Sequence, residues 1–221
     1  MKHLLKSFIP EFYFDYLHKK RIDSQVSINF EAWREKVWKN WKNEGAPVPP
    51  PHAVKQKVIA DFQKKYSLKT LVETGTLHGE MIEAQKRCFQ KVYSIELDEK
   101  LYNEAVKRFK YDRNVQLVNG DSGVKLFEVI KEIDTVTLFW LDGHYSGGYT
   151  ALGELECPIL GEIDGVFSGK IKNHILLIDD ARCFVGENSY PTKEDLYAYI
   201  LKYNKNYKMS VDCDIIRFEV G

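Results

Sequence analysis

A surplus of charge is missing from this chain: lysine and arginine together number 32, aspartate and glutamate 32, and the net charge is zero. No global field draws such a protein onto nucleic acid or an anionic bilayer, so a nucleic-acid partner is not expected. Cysteine is scarce. Cys88, Cys157, Cys183 and Cys213 are scattered with no CxxC pair, which excludes a zinc knuckle and a disulfide framework. They read as reduced, buried thiols in a cytoplasmic protein. Long apolar runs are also lacking. The opening MKHLLKSFIPEFYFDYLHKK is broken by Lys6, Pro10, Glu11 and Asp15, so neither a signal peptide nor a transmembrane segment is expected there. Its aromatic residues beside the His18 to Arg21 cluster predict a helix packed on its own domain or against a second subunit in a homodimer, a membrane-surface contact being the alternative. There is no internal repeat, no low-complexity tract and no GxGxxG.

What is present is enough for one buried core: 221 residues, 44% of them hydrophobic. Phe30, Trp33, Val37, Trp38 and Trp41 recur at helical spacing and predict an amphipathic helix ending at Gly45. Pro47, Pro49, Pro50 and Pro51 then force an extended connection, which divides a helical extension (1–51) from the main domain (52–221). From there helices and short apolar strands alternate, the pattern of a parallel sheet with crossover helices. Helices are expected at 53–66, 80–89, 99–109, 123–130 and 193–203. Parallel strands are expected at 70–73, 91–96, 115–118, 136–141 and 175–178. The tract from Glu154 to Phe167 has helical spacing, with Glu154, Glu156 and Glu162 expected on a solvated face. The close approach of 207–211 and 215–220 across Asp212-Cys213-Asp214 makes the last pair antiparallel. The expectation is an α/β fold: a Rossmann-like doubly wound sheet of five parallel strands, a C-terminal antiparallel hairpin and an N-terminal helical extension.

Open parallel sheets bind ligands beyond the carboxyl ends of their strands. Each such end carries an acidic residue here: Glu73, Glu96, Asp121, Asp142 and the pair Asp179-Asp180. In Glu73-Thr74-Gly75-Thr76-Leu77-His78-Gly79, Gly75 lets backbone approach a ligand and Gly79 lets a helix start close to the strand. Glu96 lies about twenty residues on, where a carboxylate accepts from both ribose hydroxyls, in NAD enzymes as in others. Asp121, in Asn119-Gly120-Asp121-Ser122, suits an exocyclic adenine amine and equally a helix N-cap.

The succession VETGTLHGE, SIELDE, VNGDSG, FWLDGHYSGG and LLIDDAR resembles the motifs of class I S-adenosylmethionine-dependent methyltransferases, over roughly residues 53–221. LDGHYS and IDD are similar to segments of bacterial sugar and macrolide O-methyltransferases. The resemblance implies S-adenosylmethionine as cofactor. It places Glu73, Gly75, Thr76, His78 and Gly79 along the methionine half, Glu96 and Leu97 at the ribose, and Asp121 and Ser122 near the adenine, with Asp142 facing the same cleft. Where the family often has a glycine pair before the fifth strand, this chain has Lys172-Asn173-His174, which puts the substrate-side loop in doubt.

Methyl transfer to a hydroxyl needs collinear positioning and a way to remove the acceptor proton. Two devices are available. Asp142, Asp179 and Asp180 offer hard oxygen ligands for Mg²⁺, which would lower the acceptor's pKa. His144, just after Asp142, offers a base at neutral pH, and Asp142 and Asp179 are the other candidate catalytic residues. Tyr145, Ser146, Gly147 and Gly148 read as a loop that closes over substrate. Arg182 suits an anionic substrate group or a surface salt bridge. The acceptor is expected to be a small, sugar-like molecule. Two other readings stay open: an NAD(P)-linked oxidoreductase or epimerase, and a cofactor-binding scaffold without transfer activity.

Overall fold

The computed structural model describes residues 30–143 and 157–221. Residues 30–43 are helical (α1). They are followed by α2 (His52–Tyr66), β1 (Thr70–Thr74), α3 (Glu80–Gln85), β2 (Lys91–Glu96), α4 (Glu99–Phe109), β3 (Val115–Asn119), α5 (Ser122–Val129) and β4 (Leu138–Leu141). Then come α6 (Ile159–Ser168), β5 (Ile175–Ile178), α7 (Lys193–Leu201), β6 (Tyr207–Asp212) and β7 (Ile215–Val220). The seven strands form one sheet in the order β3-β2-β1-β4-β5-β7-β6. The first five are mutually parallel, and β7 runs antiparallel between β5 and β6. The doubly wound sheet with its closing hairpin is therefore as the sequence pattern predicts.

Alternation along the central strands splits the core in two. Leu138 and Trp140 of β4 join Trp41, Val54, Ile59, Leu71 and Met81 on one side. Phe139 and Leu141 join Val72, Leu126, Ile163, Leu176 and Ile200 on the other. β1, β4 and β5 are buried throughout, β4 and β5 as continuous apolar runs require.

Several local expectations are corrected. On α1 the inward positions are Arg34 and Trp41, 5% and 3% exposed, while Trp33 is 48% exposed and stacks on Phe30. The packed stripe is thus rotated from the aromatic stripe of the sequence, because Trp41 donates its indole N–H to the Pro47 carbonyl and enters the core. α3 stops at Gln85, where buried Lys86 turns to Glu83 and Asp112. β4 starts at Leu138 rather than Val136: the Thr137 N–H donates to the ring of His174. His174 is wholly buried, and burial pushes its imidazole down to about 4. It precedes β5, whose first residue pairs with the first residue of β4. The departure at 172–174 therefore lies at the opposite end of the sheet from the strand ends that form the cleft.

The hairpin turn is two residues, since Asp212 pairs with Ile215. Cys213 and Asp214 both have positive φ, 57° and 59°, the geometry whose twist suits adjoining strands. All four cysteines are free, Cys157 and Cys213 buried and Cys88 and Cys183 only half-buried. Among the described residues no helix is long and apolar enough to cross a membrane.

Candidate functional site

Parallel register sets the carboxyl ends of β3, β2, β1, β4 and β5 side by side: Asn119 against Glu96, Ile95 against Thr74, Thr74 against Leu141, Leu141 against Ile178. The turns that leave these ends form one continuous rim. Gly75 has φ +82°, and a Cβ there would lie 2.4 Å from the carbonyl oxygen of Asp142. Only glycine permits both the left-handed turn and that approach. Gly79 has φ +74°, and a Cβ would strike the Phe109 ring at 2.5 Å, so α3 can start against α4.

Glu96 fixes the centre of the rim. Its Oε2 accepts the Leu77 N–H at 2.7 Å and its Oε1 accepts the Asp98 N–H at 2.9 Å, tying the β1 turn to the end of β2. Leu77 and Leu97 flank it, 43% and 37% exposed. His78 is exposed and its carbonyl accepts from Arg108 at 2.6 Å. Asp121 caps α5 through Oδ1, which accepts the Gly123 N–H at 2.8 Å. The Gly120 N–H donates to the carbonyl of Glu96, holding that turn beside it.

Two predicted positions are buried. Glu73 is 2% exposed, one residue inside the strand end, and Thr76 is 3% exposed. The Ser94 hydroxyl donates to Glu73 at 2.6 Å and shares a 2.6 Å hydrogen bond with the Thr76 hydroxyl. Burial pushes the Glu73 carboxyl up to about 8, so it is neutral at pH 7. The acidic series along the strand ends therefore contributes one charge fewer than the sequence suggests.

On the other side of β1, the Asp142 N–H donates to the Thr74 hydroxyl at 3.1 Å. A Cβ on Gly143 would meet Glu162 at 2.7 Å, Ser122 at 3.0 Å and Thr74 at 3.1 Å. Glu162 is the clearest correction: it is 2% exposed and accepts from the Ser122 hydroxyl at 2.6 Å. The expected solvated face is a packed one because Gly161 and Gly165 let α6 lie directly on Gly123 and Leu126 of α5. Their four-residue spacing was the signal available in the sequence. Glu154, Glu156 and His144 lie outside the described residues, as do Tyr145, Ser146, Gly147 and Gly148.

Asp179 is fully buried at the end of β5. Its Oδ1 accepts the Asp180 N–H at 2.9 Å, and its Oδ2 is in direct contact with the ammonium of Lys55, from α2. Lys55 also lies 3.6 Å from Asp180 Oδ1. Burial alone would lower the Lys55 pKa, but the carboxylates of Asp179, Asp142 and Asp180 outweigh it and hold it above the ordinary lysine range. Arg182 pairs with Asp180 at 2.7 Å and with Asp214 of the hairpin turn, taking the salt-bridge option. Nothing in the sequence singled out Lys55, since a lysine on an amphipathic helix ordinarily faces solvent.

The residues fit a nucleoside better than a divalent ion. A carboxylate between two exposed leucines, over a glycine turn, has the acceptor and apolar chemistry for ribose and adenine. Asp142, Asp179 and Asp180 do not fit Mg²⁺ as arranged, because an ammonium already sits on Asp179. Among the described residues no group of three or more His, Cys, Asp or Glu side chains is placed to hold a metal.

No family model matches the chain, and no curated protein matches it. Solved structures do. The O-methyltransferase TomG of Streptomyces achromogenes, in complex with S-adenosylmethionine, is 10% identical with a TM-score of 0.52, covering 89% of this chain and 96% of its own. PaMTH1 of Podospora anserina, a methyltransferase bound to S-adenosylhomocysteine, is 12% identical with a TM-score of 0.52 and covers 96% and 97%. A Bacillus cereus O-methyltransferase, also with S-adenosylhomocysteine, is 12% identical with a TM-score of 0.51 and covers 84% and 90%. A dinucleotide-binding sheet runs 3-2-1-4-5-6, whereas here β7 is inserted antiparallel between β5 and β6. The chain has the fold of these methyltransferase structures.

Proposed function

We propose that the chain is an S-adenosylmethionine-dependent methyltransferase that acts on a hydroxyl of a small, sugar-like acceptor. The observation that carries the reading is Glu96, fixed by two backbone N–H groups between exposed Leu77 and Leu97. Each oxygen of that carboxylate keeps a lone pair for a ribose hydroxyl. Leu77 and Leu97 offer apolar surface to the adenine, and Asp121 accepts from its exocyclic amine while capping α5. When bound, S-adenosylmethionine supplies an electrophilic methyl group on a sulfonium.

The chain's own part is to orient and to move one proton. Gly75, packed on Asp142, carries the cofactor turn up to the acceptor side of the rim. Holding the acceptor oxygen in line with the methyl carbon is the principal contribution. We assign proton removal to His144, two residues beyond Asp142, because imidazole is the side chain whose unperturbed pKa lies closest to neutral pH. The sheet order disfavours the NAD(P)-linked alternative, and fold by itself does not choose an acceptor.

Calorimetry with S-adenosylhomocysteine and with NAD tests the reading. Binding of the former alone is expected; binding of NAD without S-adenosylhomocysteine would end it. In a transfer assay with labelled S-adenosylmethionine and a panel of glycosides, His144→Ala is expected to lower turnover by about 10²–10⁴-fold. Its affinity for S-adenosylhomocysteine should stay at the wild-type level.

A further inference from the structure

We infer that Lys55 is the resident cation on the acceptor side of the rim, and that its ammonium takes the seat a divalent metal would need. Three observations carry this. The Lys55 side chain is only 14% exposed and its Nζ contacts the 1% exposed carboxylate of Asp179. The same Nζ lies 3.6 Å from Asp180, and Asp142 adds its charge to the field around it. The other oxygen of Asp179 is already taken by the Asp180 N–H. A small divalent ion needs bare oxygens in a near-octahedral set, and here one oxygen is committed to an amide and the other to an ammonium.

The arrangement is held from several directions. Lys55 is carried by α2, whose Val54, Val58 and Ile59 are core residues. The segment after Asp179 is clamped by the hairpin, where the carbonyl of Asp214 accepts the Ala181 N–H at 2.8 Å and its carboxylate accepts the Arg182 N–H at 2.9 Å. The ion pair is thus built into two fixed elements. A buried carboxylate needs a partner charge, and a lysine supplies one that cannot dissociate. An ammonium also has three N–H donors. Asp179 engages one, Asp180 lies 3.6 Å from the same nitrogen, and a further N–H is directed to the oxygen of an acceptor hydroxyl as its proton leaves for the base. Lys55 thereby orients the acceptor and stabilises its developing negative charge. This last role rests on the methyltransferase reading; the occupancy of the cation seat does not.

The test is a Mn²⁺ titration of the full chain followed by electron paramagnetic resonance, with S-adenosylhomocysteine calorimetry on the same samples. Wild-type protein is expected to show no site tighter than about 1 mM. Lys55→Met leaves buried Asp179 without its cation, Asp180 keeping Arg182, and is expected to create one Mn²⁺ site on Asp179, at least about tenfold tighter. Lys55→Arg should behave as wild type, and Asp179→Asn added to Lys55→Met should remove the new site. Submillimolar Mn²⁺ binding to wild type, lost in Asp179→Asn, would overturn the inference, and so would a folded Lys55→Met chain that binds no Mn²⁺. The wild-type titration decides even where Lys55→Met does not fold. Failure of wild type to bind S-adenosylhomocysteine would remove the methyltransferase reading and leave the metal result to be judged separately.

Discussion

On the β1 to β3 side of the rim, polar groups meet across short stretches of chain: Leu77 reaches Glu96 over 19 residues, Asp98 reaches it over 2, and Asp121 reaches Gly123 over 2. On the β4 to β5 side, Lys55 meets Asp179 over 124 residues and Arg182 meets Asp214 over 32. The first half is built mainly from backbone N–H groups pointing at carboxylates, the second from side-chain charges brought together by helix packing and a distant hairpin. Backbone donors survive almost any substitution around them. Charges carried by separate elements depend on both partners, so the second half is the more sensitive to a single change.

The contrast can be broken most forcefully at Lys55. Removing one partner of a buried pair leaves an uncompensated charge, so Lys55→Met is expected to cost about 3–5 kcal/mol of stability in denaturant melts. Lys55→Met with Asp179→Leu should recover most of it. Equal loss in both variants would mean that packing, rather than charge, holds this half together.

Next comes Glu73, the neutral carboxyl on the β1 to β3 side. Its folded pKa is raised, from 4.5 to about 8, so between these values the folded chain keeps a proton that the unfolded chain has released. Its stabilising contribution is complete below pH 4.5 and is lost as pH climbs through 8, at about 1.4 kcal/mol per pH unit. Glu73→Gln lacks that titration, so its stability relative to wild type should increase by about 3 kcal/mol from pH 5 to pH 8. Urea melts at several pH values that run parallel for the two chains would refute a neutral Glu73.

The smallest of the three effects sharpens the division. Glu96→Gln keeps the shape but loses a charge-assisted hydrogen-bond acceptor, worth about 1.5–3 kcal/mol or about 10–100-fold in S-adenosylhomocysteine affinity. Mn²⁺ behaviour at the β4 to β5 side should not change. A Glu96→Gln chain that binds S-adenosylhomocysteine as well as wild type would detach the cofactor from this half of the rim.

The legible residues share one property: their roles are local. Gly75 and Gly79 stand in a strand-to-helix turn, Asp121 precedes a helix, and each states its geometry within a few positions. Trp33, Glu162, Glu73 and Lys55 were misread or missed because periodicity identifies a helix or strand but not which neighbour covers it. Trp33 lies in an aromatic stripe yet faces out, since the stripe that packs is set by where Trp41 meets the core. Glu162 lies on a face that two glycines turn into a helix contact. His174 marks a departure from the resemblance, but it sits at the sheet's other end, a fact no spacing conveys.

The sequence by itself determined the order of strands and helices, the glycine turns and the rim residues Glu96 and Asp121, because those follow from periodicity, turn chemistry and the chirality of crossover connections. Only the tertiary structure decided that Glu73 is neutral, that Glu162 is buried and that a lysine stands on Asp179. Burial and pairing are properties of surfaces that meet. In this chain they meet across as many as 124 residues, where local patterning carries no information about the partner.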